Sequence, residues 1–174
     1  MYIGHVGVAL GAKRVRRSIG LLVLLVATYT PDWVDTGLCL AGAYNPNGML
    51  SHSIPAIALF ALLGFAAYAT ATRDWRSALV VAAVIVSHML LDWITGYKPT
   101  WPGGPMIGLQ FYDHPIADFV AEAVVIVVGA LLYARTLPPR KRPWVDVSAM
   151  LGALLLLQLG VDIARMLMKT LPKC

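Results

Sequence analysis

The sequence predicts an all-α, polytopic transmembrane helical bundle of about five spanning helices plus a short N-terminal helix. Three observations predict it. Hydrophobic residues make up 59% of the chain and charged residues 13%, where a soluble domain carries about a quarter charged. Apolar runs recur along the whole length, and about 20 such residues cross the hydrocarbon core as a helix. None of the runs alternates with a period of two, and backbone buried in lipid must satisfy its own hydrogen bonds, which leaves helices. No polar linker divides the 174 residues, so residues 1–174 form a single membrane-embedded domain.

The elements follow in order. Tyr2 to Lys13 is apolar but too short to span, and reads as a tucked or half-crossing helix. Ser18 to Thr30 is the second segment, and Pro31 ends it or kinks it on its way further. His52 to Ala71 and Ser77 to Thr95 are the third and fourth, Pro115 to Leu137 the fifth, and Val145 to Leu171 the last. The first ten residues lack Lys and Arg, so no cleavable signal is expected and the chain enters the membrane through its own helices. Cys39 and Cys174 lack metal-ligand spacing and read as incidental.

Charge orients the bundle. Lys13, Arg14, Arg16 and Arg17, then Arg73 and Arg76, then Arg135, Arg140, Lys141 and Arg142 fall in alternate joints and hold ten of the 14 basic residues. The positive-inside rule puts those joints in the cytoplasm of an inner, or plasma, membrane. The net charge of +5 is therefore a topology signal, and no nucleic-acid partner is expected. Asp32, Asp35, Asp92, Asp113, Asp118, Glu122 and Asp162 fall at the opposite ends of their segments, leaving only Asp74 and Asp146 inside. Trp33, Trp93 and Trp101 suit the interfacial belt. Asp162 and Arg165 stand three residues apart and are expected to pair, and Asp146 is expected in a helix's first turn.

All four histidines, His5, His52, His88 and His114, fall on the acidic, non-cytoplasmic side. His88 and Asp92 stand at i and i+4, as do His114 and Asp118, with Glu122 one turn further. Residues so spaced share a helix face. Ionisable groups at membrane depth cost on the order of 3 kcal/mol each and mark function. Hydrogen bonds between membrane helices return only about 0.6 kcal/mol each. A divalent cation neutralises several carboxylates at once and takes imidazole as a ligand. The expected metal ligands are His5, His52, His88, Asp92, His114, Asp118 and Glu122, and Asp32 and Asp35 beside Pro31 are either further ligands or helix-capping and turn acids.

Gly4-His5, Pro31-Asp32-x-x-Asp35, Ser51-His52-Ser53 and Ser87-His88-x-x-x-Asp92 stand in an order that resembles the inner-membrane metal-dependent hydrolases, some described as LexA-binding. The resemblance runs to about residue 122. Met49-Leu50 precede Ser51-His52 where those proteins often carry His-Arg-Gly. The same order is distantly similar to the zinc-dependent phospholipase C and single-strand nuclease group, although His114-x-x-x-Asp118 has Asp where that group has Glu and a further histidine is missing. The resemblance implies two or more zinc ions and hydrolysis of a phosphoester in a membrane lipid by a metal-activated water. It gives Asp32 or Asp35 a bridging or proton-accepting role and makes Asp113 a base or supporting residue. Lys98 is either a phosphate contact or a solvated lysine, and the Pro102-Gly103-Gly104-Pro105 stretch is expected to form a mobile loop over the site. Three alternatives stay open: a ceramidase-like lipid amide hydrolase, an ion transporter or proton relay, and a regulatory protein with a structural metal. No inverted repeat supports the transporter.

Overall fold

The computed structural model describes residues 1–43, 45, 48–138 and 143–167. Arg140, Lys141, Arg142 and Cys174, which figured in the charge and cysteine expectations, lie outside the described residues, as does the end of the last segment from residue 168. The helices are α1 (Gly4–Val15), α2 (Leu21–Thr28), α3 (Thr30–Leu40), α4 (Ile54–Thr72), α5 (Trp75–Thr95), α6 (Pro115–Ala134) and α7 (Pro143–Leu167). Between α5 and α6 sits a two-stranded antiparallel hairpin, β1 (Lys98–Pro99) with β2 (Met106–Ile107). The expected mobile Gly-Gly loop is thus the tip of a paired hairpin, closed by the Thr100 N–H on the Pro105 carbonyl at 3.0 Å.

Four helices, α4 to α7, are long and apolar enough to cross a membrane. The second segment, expected as a fifth span, comes out as α2 and α3, bent at Tyr29 with Pro31 in the first turn of α3. Proline lacks the N–H that a first turn leaves unbonded anyway, so the chain turns there and stays helical. Leu59, Leu62, Leu63, Val86, Leu90, Val120 and Leu156 are among many exposed large apolar side chains. Hydrocarbon makes that surface acceptable where water would not.

The short helix α1 is held inside the bundle. It runs parallel to α6, with Gly7 against the backbone of Val125 and Ile126, and Gly129 against the Gly7 carbonyl. A Cβ at Gly7 or Gly129 would overlap those atoms, so glycine here is what lets two membrane helices touch backbone to backbone. The first N–H groups of α1 find no cap within their own segment. Glu122 of α6 supplies one, accepting from the N–H groups of Tyr2 and Gly4 at 2.7 Å each.

Two chemically distinct ends result. At one, Arg16 grips Asp74 at 2.9 and 3.0 Å, and Arg17 donates to the Arg135 carbonyl at 2.8 Å, so the three basic joints meet. Asp74 also caps α5 by accepting from the Ser77 N–H at 3.1 Å. The Ser77 hydroxyl and N–H, with Arg16, hold the Asp74 carboxyl down at about 2. At the other end lie the histidines and seven of the carboxylates. Trp33 and Trp101 are exposed at that acidic end and Trp75 and Trp144 at the basic end, whereas the Trp93 indole N–H is buried. Asp146 lies in the first turn of α7. Arg165 does not pair with Asp162 as expected. It reaches across the helix interface to Asp118 at 3.4 Å, while Asp162 accepts from Gln158 at 2.8 Å. Cys39 is not a free thiol.

Candidate metal centre

Five of the nine candidate ligands converge. α1 contributes His5, α3 contributes Asp32, the turn before α4 contributes His52, and α5 contributes His88 and Asp92. Two groups have ligand atoms all within 4.8 Å of one another: His5, His88 and Asp92, and Asp32, His52 and His88. His88 belongs to both. His5 stacks on His88 with ring centroids 3.9 Å apart. Asp92 is the hub: Oδ1 lies 3.3 Å from His5 Nε2, and Oδ2 lies 3.5 and 3.6 Å from His52 and His88. Lys98 also reaches Oδ2 at 3.2 Å, and the amino group of Met1 reaches Oδ1 at 2.6 Å. The imidazoles and Asp92 are buried, while the Asp32 side chain is 42% exposed and leaves one edge open.

Hydrogen bonding around the rim sets the tautomer of His88 and bears on that of His52. His88 Nδ1 lies 2.7 Å from the Thr28 carbonyl, which can only accept, so Nδ1 carries the proton and Nε2 offers a lone pair. His52 Nδ1 lies 2.7 Å from Ser51 Oγ. The Ser51 hydroxyl also lies 3.3 Å from Asp35 Oδ1; where its proton goes to Asp35, His52 Nδ1 is the donor and its Nε2 is also a lone pair. Burial is the largest influence on the His52 pKa and lowers it, which favours the neutral ring. The two Nε2 atoms then face each other at 3.2 Å, and Asp32 Oδ1 lies 3.2 and 3.7 Å from them. In that tautomer three acceptors are aimed at one another, and they repel unless a cation joins them. His5 Nδ1 is buried without a partner. The donor set, imidazoles plus carboxylates with outer partners on the far ring nitrogens of His52 and His88, is one that fits zinc or a similar divalent ion.

The remaining expected residues lie elsewhere. Asp35 touches Asn45 at 2.5 Å and Ser51, and acts on His52 through Ser51. His114 is the exposed N-cap of α6, with φ −125° and ψ 82°. Its side chain does not follow the helical direction, so the i, i+4 spacing to Asp118 does not bring the two together. Asp113 is exposed in a 3₁₀ turn (Phe111–Asp113). Asp118 is taken up by Arg165 and Glu122 by the start of α1. Sequence reasoning missed Thr28, Asn45 and Ser51, whose contribution is a carbonyl or hydroxyl that no spacing rule marks. It also missed the contact between Lys98 and Asp92.

Neither a curated protein nor a solved structure matches the chain. The hydrolase and phospholipase C likenesses therefore rest on motif order alone. A family model described as YdjM inner membrane protein matches residues 1–166, and the chain belongs to that family of inner membrane proteins.

Proposed function

We propose that the protein is a membrane-embedded, metal-dependent hydrolase that cleaves a phosphoester bond of a phospholipid or related lipid. The observation that carries this reading is the meeting of two imidazole Nε2 atoms and a carboxylate oxygen at one partly open point. His52, His88 and Asp32 would hold the ion, with His5 and Asp92 completing the set. His88 has a single free nitrogen, so the two groups that share it are two faces of one centre, and we assign one ion where the sequence suggested two or more. A bound divalent zinc supplies a water whose pKa is lowered to about 7.

The chain's own residues supply the rest. Asp32, at the open edge, is placed to accept a proton from water as its oxygen bonds to phosphorus. The ester P–O bond then breaks, and the leaving alkoxide takes up that proton. Lys98, half-buried beside Asp92, offers a cation to a phosphate oxygen. The cluster lies at one end of the helices, where head groups lie, so a lipid need not leave the bilayer. The positive-inside rule would place this end on the non-cytoplasmic face.

Elemental analysis of the purified protein, followed by assays with phosphodiester and phosphomonoester lipids, tests the reading. Asp32→Asn, which removes a carboxylate ligand and the proton acceptor together, should weaken metal binding and lose turnover. A second reading has one observation in its favour: Lys98 and the Met1 amine already bring positive charge to Asp92, as a purely structural or ion-handling hub would need. Metal-free protein of undiminished thermal stability would support that second reading. Turnover of an amide lipid in place of phosphoesters would move the assignment to a ceramidase-like reaction at the same centre.

A further inference from the structure

A cavity of about 560 Å³ lies between α1, α5 and α6, and none of the five ligand residues lines it. Gly7 and Gly11 form its floor, Ala83 and Val84 one wall, and Val128 and Leu132 the other. Its one polar liner, Ser87, has its hydroxyl engaged by the Val84 carbonyl at 2.7 Å. Val15, Val124 and Val128 around it are exposed, so the groove opens sideways, into hydrocarbon. From Gly7 to Val15 a helix rises about 12 Å, close to the depth of one leaflet in a core of about 30 Å. The volume falls in the range of sites that seat a small ligand.

The groove ends at the basic end of the bundle, and each of its three helices places an arginine there. Arg14 follows Gly7 by seven residues and Gly11 by three, Arg76 precedes Val80 by four, and Arg135 follows Val128 by seven and Leu132 by three. Those intervals keep each arginine on the face of its helix that lines the groove. All three are exposed, and among the described residues none has a carboxylate within ion-pair distance, unlike Arg16, which holds Asp74. Arg76 lies over the Trp75 ring, 5.6 Å from its centroid, at the level where tryptophan anchors helices in the interface.

We propose that this groove is a binding site for an anionic phospholipid, one acyl chain lying between α1, α5 and α6 and the head-group phosphate resting on Arg14, Arg76 and Arg135. The apolar walls accept any acyl chain, and the arginines select the head group. This lipid sits in the leaflet at the basic end, away from the histidine cluster, so it is a bound partner and not the substrate of that centre. It also fills the wedge that α5 and α6 leave above α1.

Native mass spectrometry of the full chain in detergent, titrated with phosphatidylglycerol or with phosphatidylcholine of the same acyl chains, tests the proposal. One phosphatidylglycerol per chain should be retained, and phosphatidylcholine should bind at least tenfold more weakly. Arg14→Gln, Arg76→Gln and Arg135→Gln should each weaken phosphatidylglycerol about fivefold. Ala83→Trp, an exposed wall position, should expel the lipid and leave the lipid-free melting temperature unchanged; Val128→Trp makes the same test from the opposite wall. Equal retention of the two lipids would overturn the proposal, as would phosphatidylglycerol binding that survives both tryptophan variants. A lipid-free dimer of the natural chain that either tryptophan variant dissolves would overturn it too, by showing that a second copy fills the groove.

Discussion

His88→Ala removes the one side chain common to both ligand groups, so it separates a metal centre from a hydrogen-bonded hub more sharply than any other change. The natural protein should carry one divalent ion per chain and His88→Ala essentially none, because each group is left with two ligands. Melting temperature alone is a poor readout, since truncating a fully buried side chain itself costs about 2–5 kcal/mol. The chelator-induced shift is the better quantity. An ion present at 100 times its Kd stabilises the folded state by about 2.7 kcal/mol, and each kcal/mol moves the midpoint of a chain this size by about 2–4 °C. Chelation should thus lower the melting temperature of the natural protein by roughly 5–11 °C and leave that of His88→Ala unmoved. His114→Ala should keep the metal, since that ring is exposed at the start of α6. Glu122→Ala should keep it as well while losing stability, since that carboxylate caps α1. Equimolar metal in His88→Ala, or a natural protein that neither contains an ion nor responds to a chelator, would refute the reasoning.

Ser51→Ala breaks the relay from Asp35 to His52 Nδ1, and zinc affinity measured by competition titration should fall about 10- to 100-fold, the usual effect of losing an outer partner. Gly7→Ala drives a Cβ into the backbone of Val125; overpacking of this kind costs about 1–3 kcal/mol, and thermal melting in detergent should show it. Asp74 has its carboxyl depressed to about 2 by Ser77 and Arg16. Its contribution is therefore complete above about pH 4, the unfolded carboxylate's range, and is lost as pH falls toward 2. The melting-temperature gap between the natural protein and Asp74→Asn should be widest near neutral pH and close through that acid window.

The fold was legible in the sequence because lipid leaves few choices. Apolar runs of spanning length gave α4 to α7 nearly to their ends, and the basic joints sorted the ends correctly, as the contacts from Arg16 to Asp74 and from Arg17 to Arg135 show. The second segment was less legible. Proline after Thr30 announces a bend but not whether the helix resumes, and whether it does depends on packing. The place of the Glu122 carboxylate was less legible for a related reason. Nothing in Tyr2 to Gly4 shows that the first turn of α1 lacks a local cap and must borrow one from α6.

The two i, i+4 motifs show where spacing carries chemistry and where it stops. His88 and Asp92 both lie within α5, so one helical turn sets their side chains on the same face and aims both at α1 and the α2–α3 bend. His114 and Asp118 have the same interval, yet His114 stands outside the helix at its cap, with an extended backbone, and only Asp118 follows the helical direction. Pro115 causes this, since proline disfavours helical backbone in the residue before it. A histidine directly before a helix-starting proline therefore cannot be counted as sharing a face with residues one turn on. Applied to this chain, that rule keeps His88 and Asp92 and removes His114. It also leaves His52 uncertain by spacing alone, because that residue too precedes its helix. What brings His52 into the cluster is the turn that Asn45 and Ser51 stabilise, with Asn45 Oδ1 accepting from the Leu50 N–H at 2.8 Å. Replacing Asn45 with Ala should therefore loosen His52 while leaving His88 and Asp92 in place.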